Sequence, residues 1–95
     1  MALPDAEQAR AIALRIVREL SGPDQKPFEL MPERTQSLDD GWVFFYQSAE
    51  FVRTGDPLSA LAGNCPIFVM RDGTVHLLPT YWTWERGVES VRRGG

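Results

Sequence analysis

Cysteine, histidine and lysine are nearly absent from this 95-residue sequence, which contains one of each. A single cysteine cannot form an intramolecular disulfide, and Cys65 with His76 offers none of the paired spacings of a zinc site. The apolar runs are far shorter than the ~20 residues that cross a bilayer, and the N-terminus lacks the pattern of a secretory signal. We therefore expect a cytoplasmic protein with no metal, no cofactor and no membrane contact.

Side chains suited to catalysis are also scarce. The sequence allows a thiolate pair between Cys65 and His76, but a small apolar cysteine and a strand histidine are the simpler interpretation. The glycine-containing segments 63–66 and 71–73 each precede a predicted strand, whereas phosphate-binding loops precede a helix. We expect no catalytic residues, and hence no enzymatic activity.

Charge is distributed unevenly along the chain. The formal net charge is −3, which argues against a nucleic-acid partner. Residues 29–56 contain six acidic residues and two arginines, so this segment alone carries −4 and the remainder is nearly neutral. An acidic surface repels phosphate and attracts a basic protein. The candidate partner-binding residues are Asp39, Asp40, Glu50 and Asp56.

A helix is predicted at each end of the chain. Apolar residues recur at helical spacing over residues 5–20. Asp5 and Gln8 form a capping-box pattern before the stripe, and residues 22–23, Gly-Pro, are expected to end the helix. Thr83 is expected to cap a second, shorter helix.

Two of four predicted strands precede residue 48. Residues 28–31 alternate in polarity between two prolines, which favours an edge strand because proline cannot donate a ladder hydrogen bond. Residues 42–47 are rich in aromatic and β-branched side chains on both faces, which predicts a central strand covered on each side. The polar residues 35–40 are interpreted as a connection.

The other two strands form a predicted hairpin. Residues 66–70 and 74–78 flank the dipeptide Asp72–Gly73, a strong hairpin signal because the turn requires positive φ. Residues 48–64 are interpreted as an irregular crossing with a helical turn. The sequence thus predicts a single α+β domain over residues 1–95, with the N-terminal helix packed on a four-stranded, mainly antiparallel sheet and a short C-terminal helix.

Several short motifs carry a family resemblance. Residues 40–48 (DGWVFFYQS), 54–56 (TGD) and 61–67 (LAGNCPI), followed by the Asp72–Gly73 turn, resemble the immunity protein 35 family, also called the YrhB-type domain. The likeness extends over roughly residues 6–90. Cys65 departs from the small residue, often glycine, that the family usually carries there. The motif residues expected to form core or turns are Gly41, Trp42, Phe44, Tyr46, Gly63, Asn64 and Pro66.

The resemblance implies a small bacterial protein of polymorphic toxin systems, encoded beside a toxin and neutralising it by binding. The predicted function is therefore immunity by occlusion of a cognate toxin, which the acidic segment suggests is basic. The alternative is a small-ligand-binding or accessory domain without a toxin partner. The proline-flanked first strand also leaves a sheet edge through which a homodimer could form.

Overall fold

The computed structural model describes residues 5–21, 27–60, 64–80 and 82–94, and confirms the α+β class. The elements are α1 (Ala6–Ser21), β1 (Phe28–Leu30), β2 (Gln36–Leu38), β3 (Gly41–Phe44), β4 (Tyr46–Ser48), α2 (Ala49–Thr54), β5 (Ile67–Met70), β6 (Val75–Leu77) and α3 (Trp84–Arg92). Short 3₁₀ turns lie at Pro32–Arg34 and Pro57–Ser59.

The strands form two antiparallel sheets. One has four strands in the order β2-β3-β5-β6, and the other pairs β1 with β4. The membership of the four-stranded sheet differs from the sequence prediction in two respects. Residues 36–38, interpreted as a connection, form β2, and the predicted strand 42–47 is divided at Phe45 into β3 and β4.

The division at Phe45 follows from a change of partner. Phe44 is the last residue of β3 paired with β5, opposite Ile67, whereas Tyr46 already pairs with Leu30 of β1. Between them, the carbonyl of Phe45 accepts a hydrogen bond from the backbone N–H of Met31 at 2.8 Å. The extended segment therefore leaves one sheet and enters the other without a loop.

Each face of the four-stranded sheet carries its own apolar cluster, as the two-sided pattern of residues 42–47 predicts. Trp42, Phe44 and Tyr46 are buried under α1, and Val43 is buried with Val88 of α3. The buried members of the first cluster are Ala9, Ala13, Val17, Trp42, Phe44, Tyr46, Ile67 and Val69. Those of the second are Val43, Phe68, Leu78 and Val88.

The predicted cap of α1 is confirmed. The N–H of Gln8 donates to Oδ1 of Asp5 at 2.9 Å, and the N–H of Asp5 donates to Oε1 of Gln8 at 3.3 Å. These reciprocal bonds satisfy backbone donors that have no partner within the helix. The helix continues to Ser21, and the Gly-Pro pair expected to end it lies outside the described residues.

The predicted hairpin and C-terminal helix are also present. Gly73 has a φ of +90°, and the carboxylate of Asp72 accepts from the N–H of Thr74 at 2.9 Å, which closes the turn between β5 and β6. Oγ1 of Thr83 accepts from the N–H of Arg86 at 3.2 Å and begins α3. Both features are therefore set by residues at most three positions apart.

Candidate partner-binding surface

The four candidate acidic residues separate into two groups. Asp39 and Asp40 form the turn between β2 and β3, whereas Glu50 and Asp56 lie in and after α2. The extended segment of β3 and β4 separates the two groups. The acidic residues therefore lie at opposite ends of this segment and do not form one continuous patch.

At the first end, Asp40 is engaged in an ion pair. Nε and Nη2 of Arg92 donate to the two carboxylate oxygens of Asp40 at 2.9 and 2.8 Å. The hydrogen bond from Arg92 is the largest cause that lowers the pKa of Asp40 below its ordinary value. The charge of Asp40 is thus compensated by a guanidinium from the C-terminal helix.

Arg71 organises the same turn. Its Nε donates to the carbonyl of Asp39 at 2.8 Å, and its backbone N–H donates to the carbonyl of Asp40 at 2.9 Å. The guanidinium also lies over the ring of Trp42, 4.5 Å from the centroid, which is favourable cation–π geometry. Arg71 and Arg92 lie 32 and 52 positions from their partners, and no local pattern in the sequence signals these contacts.

At the second end, local capping fixes the chain. Oγ of Ser48 accepts from the N–H of Phe51 at 3.0 Å and begins α2. The sequence predicts only a helical turn in this region, whereas the structure has a six-residue helix. Gly55, at a φ of +72°, ends this helix. Oδ1 of Asp56 then accepts from the N–H of Leu58 at 3.0 Å and begins the following 3₁₀ turn.

Apolar side chains accompany the acidic ones at this end. Val52 is 41% exposed and Leu58 is 94% exposed. Glu50 lies in the first turn of α2, where a carboxylate is stabilised by the helix dipole. We call the surface of the segment from Glu50 to Leu58 the α2 surface. It combines exposed apolar area with two carboxylates and the guanidinium of Arg53, a composition suited to contact with another protein.

The family-motif residues described by the structure have structural positions. Trp42, Phe44 and Tyr46 are at most 5% exposed and belong to the cluster under α1. Gly41 was expected to set a turn, but it is the first residue of β3, and its conformation is not of the positive-φ kind. A Cβ at Gly41 would lie 2.3 Å from the carbonyl oxygen of Val69, so glycine is required by the close approach of β5.

The second motif is joined to the first by a side-chain hydrogen bond. Nδ2 of Asn64 donates to the carbonyl oxygen of Tyr46 at 2.8 Å. The carbonyl of Pro66 accepts from the N–H of Leu78 at 2.8 Å, which extends the pairing of β5 with β6. Gly63 lies outside the described residues. Asn64 and Pro66 thus anchor the chain as it enters β5.

The structure does not bring Cys65 and His76 into a catalytic pair. Burial raises the pKa of the Tyr46 hydroxyl, and Cys65 adds to this effect, so the cysteine lies near the cluster under α1. The ring of His76 instead packs against Phe68, in the cluster under α3, with centroids 6.4 Å apart. Among residues 5–21, 27–60, 64–80 and 82–94, no three His, Cys, Asp or Glu side chains form a group suited to a metal ion.

The alternative prediction, a small-ligand-binding domain, requires a pocket, and the interface between α1 and the four-stranded sheet is tightly packed at its centre. That interface is occupied by Ala9, Ala13 and Val17, which have no exposed surface. One open groove, of about 320 Å³, lies beside Trp82 and Arg86, and another, of about 400 Å³, lies between α1 and strand β1 of the two-stranded sheet. In the described part of the chain, no helix has the length and apolar character needed to span a membrane.

Comparison with protein families agrees with this arrangement. The family model described as immunity protein 35 matches residues 7–89, from the first helix to the last. The chain belongs to the immunity protein 35 family. The match includes both motif regions, so the contact between Asn64 and Tyr46 and the close approach at Gly41 lie within the family domain.

A curated relative is also similar to this chain. A protein of Escherichia coli (strain K12) described as "Uncharacterized protein YrhB" is 44% identical over 44 residues, which is 45% of this chain and 47% of the relative. The chain thus spans about half the length of the curated relative it matches. No solved structure matches this chain.

Proposed function

We propose that this chain is a bacterial, cytoplasmic immunity protein of a polymorphic toxin system, which binds a cognate toxin and neutralises it by occlusion without catalysis. The observation that carries the proposal is the match to the immunity protein 35 family over residues 7–89. The exposed apolar side chains of Val52 and Leu58 support binding, since a partner protein could cover them.

The α2 surface is the proposed contact with the toxin. Leu58 provides apolar area that would be buried in a complex, and Asp56 keeps the backbone of Leu58 in place through its capping hydrogen bond. Glu50 and Asp56 supply negative charge beside this area. Such charges accelerate encounter with a basic partner and make the association rate sensitive to salt.

The turn at Asp39 and Asp40 has a smaller role in this proposal. Two guanidinium groups, of Arg71 and Arg92, contact the turn and offset its two carboxylates. The electrostatic field of this turn is therefore weaker than the net charge of −4 on residues 29–56 would suggest. We expect neutralisation of Asp56, which is exposed beside Leu58, to affect toxin binding more than neutralisation of Asp40, which is paired with Arg92.

Co-expression with the protein encoded by the adjacent gene tests immunity directly. If the adjacent gene encodes the toxin, this chain restores growth, and the two proteins elute together in size-exclusion chromatography. Growth arrest that persists despite soluble expression of this chain, with no complex formed, would contradict the proposed function.

A second comparison tests the α2 surface alone. The double variant Glu50→Gln and Asp56→Asn removes two charges, and asparagine retains the ability to cap the turn after α2. The matched control, Glu7→Gln and Glu85→Gln, removes two exposed charges from the first turns of α1 and α3. We expect about a tenfold slower association at low salt for the first pair alone. Equal association rates for both pairs would exclude the α2 surface while leaving immunity intact.

A further inference from the structure

Among the residues that the structure describes, no strand pairs with the outer edge of β1. Glu29 is opposite Gln47 of β4, and the flanking bonds run from Ala49 N–H to the Pro27 carbonyl at 2.9 Å and from Met31 N–H to the Phe45 carbonyl at 2.8 Å. In an antiparallel pair, alternate residues direct their backbone groups toward the partner. The N–H and C=O groups of Phe28 and Leu30 are therefore directed away from β4. Within the described residues, β1 pairs with no strand other than β4.

A groove runs beside this edge. It has a volume of about 400 Å³ and lies between β1 and helix α1. Arg10, Leu14 and Arg18 contribute one wall, because residues four positions apart follow one side of a helix. Phe28 and Leu30 contribute the other wall. The groove thus combines apolar side chains, two guanidinium groups and the backbone edge of a strand.

We propose that this groove binds an extended, acidic segment of a partner protein, which adds a third strand to the sheet of β1 and β4. Main-chain hydrogen bonds to Phe28 and Leu30 would hold the segment, as in other cases of strand addition. The exposed guanidinium of Arg10 lines the groove and would pair with an acidic side chain of the bound segment. This inference does not depend on the proposed function, because the residues that line the groove are not part of the α2 surface.

A second copy of this chain is a poorer occupant of the same edge. Symmetric antiparallel pairing of two β1 strands through Phe28 and Leu30 places Glu29 directly opposite Glu29 of the partner subunit. That position is a non-hydrogen-bonded pair, where side chains are closest, and like charges there are destabilising. The expected occupant is therefore a different, acidic chain, and the homodimer predicted from the sequence is disfavoured at this edge.

Titration of the full chain with short peptides tests this inference. The probes are an acetylated and amidated Asp-Val-Glu-Val-Asp peptide and its Lys-Val-Lys-Val-Lys counterpart, followed by NMR of the backbone amides. The acidic peptide is expected to slow amide hydrogen exchange at Phe28 and Leu30, and to have little effect on Glu29, whose amide already bonds to β4. The basic peptide is expected to leave these amides unchanged.

Charge variants on α1 provide the matched control. Arg10→Glu is expected to weaken binding of the acidic peptide by about fivefold, the change typical of one exposed ion pair. Arg15→Glu changes an exposed arginine of the same helix that does not line the groove, and should leave binding unchanged. Equal effects of the two variants would overturn the proposal.

Three other outcomes would also overturn it: binding of both peptides with equal strength, protection at sites other than Phe28 and Leu30, or no binding of the acidic peptide at millimolar concentration. Concentration-dependent protection of these amides without peptide would instead assign the edge to a second copy of this chain. None of these results depends on rescue from a toxin, so failure here and failure of the proposed function are distinguishable.

Discussion

The side-chain amide of Asn64 donates a hydrogen bond to the carbonyl oxygen of Tyr46, 18 positions earlier in the chain, at 2.8 Å. This carbonyl lies just beyond the point where β3 stops pairing with β5, since Phe44 opposite Ile67 is the last pair. Asn64 therefore supplies a donor where the backbone ladder ends, and it links the two family motifs.

Removal of this donor should destabilise the fold. We expect Asn64→Ala to lower the free energy of unfolding by about 1–2 kcal/mol, because the partly buried Tyr46 carbonyl loses its partner. Gln36→Ala is the matched control, since the amide of Gln36 makes an exposed 3.3 Å bond to the Arg34 carbonyl. Urea denaturation measures both, and equal losses would contradict the role assigned to Asn64.

The acidic substitution at the same position adds a pH test. Asn64→Asp places a carboxylate oxygen against the Tyr46 carbonyl at neutral pH, and only the protonated acid can donate. The pKa of the introduced carboxyl should therefore be raised in the folded state. The stability of the Asn64→Asp variant relative to the unchanged chain should therefore increase as the pH falls through that pKa. If the variant's loss of unfolding free energy does not vary with pH, the result would contradict this geometry.

Gly41 should tolerate no side chain. In Gly41→Ala, the new Cβ would lie 2.3 Å from the Val69 carbonyl oxygen and 2.9 Å from Cα of Met70, both backbone atoms of β5. We expect a loss of about 3 kcal/mol or more in the free energy of unfolding. Gly55→Ala has open space but a φ of +72°, and should cost only about 1 kcal/mol. Similar losses for the two variants would show that β3 and β5 can separate at little cost.

The ion pair between Asp40 and Arg92 should make the free energy of unfolding depend on pH. Because hydrogen bonding to Arg92 lowers the pKa of Asp40 in the folded state, the stabilisation is complete above the unfolded-state pKa and is lost as the pH falls through the folded-state pKa. Both side chains are partly exposed, so we expect only about 0.5–1 kcal/mol.

A double-mutant cycle with Asp40→Asn and Arg92→Gln, measured at neutral pH and in acid, isolates this pair. The coupling free energy should be present at neutral pH and vanish in acid. Asp39→Asn is the comparison variant and should change stability less, because the Asp39 charge has a smaller effect on Arg92 than Asp40 has. A coupling that persists unchanged in strong acid would exclude the ionised carboxylate as its source.

Helix α3 should be sensitive to side-chain size at Gly87. A Cβ there would lie 3.1 Å from Cβ and 3.3 Å from Cδ2 of Leu78. Gly87→Ala gains about 1 kcal/mol of helix propensity and loses part of it to this contact, whereas Gly87→Val adds bulk and should destabilise by about 1–3 kcal/mol. Thermal unfolding of both variants tests this, and a stabilised Gly87→Val chain would contradict the close packing of α3 on Leu78.

Local patterns in the sequence determined much of the fold. The cap at Asp5 and Gln8, the cap at Thr83 and the turn at Asp72–Gly73 each involve residues at most three positions apart. The faces of the segment from Trp42 to Tyr46 follow from the two-residue period of an extended chain. These features depend on neighbouring residues alone, so they could be predicted without the tertiary structure.

Longer-range contacts decided the remainder. The division of the strand at Phe45 depends on the position of Met31, and residues 36–38 form β2 because β3 lies beside them as a partner. The local propensities of these residues contain no information about Met31 or β3 as pairing partners. Gly41 looked like a turn residue for the same reason, since only the approach of β5 shows why its Cβ is excluded.

The charges of residues 29–56 are a second case in which the sequence alone is not sufficient. The sequence alone established that residues 29–56 carry −4, because charge can be counted along a chain. Only the tertiary structure decided which of these charges are compensated: Arg92 lies 52 positions from Asp40, and the fold brings them to 2.8 Å. An electrostatic field depends on distances in space, so only the fold shows that Arg92 weakens the field of Asp40, while exposed apolar side chains identify the proposed contact near α2.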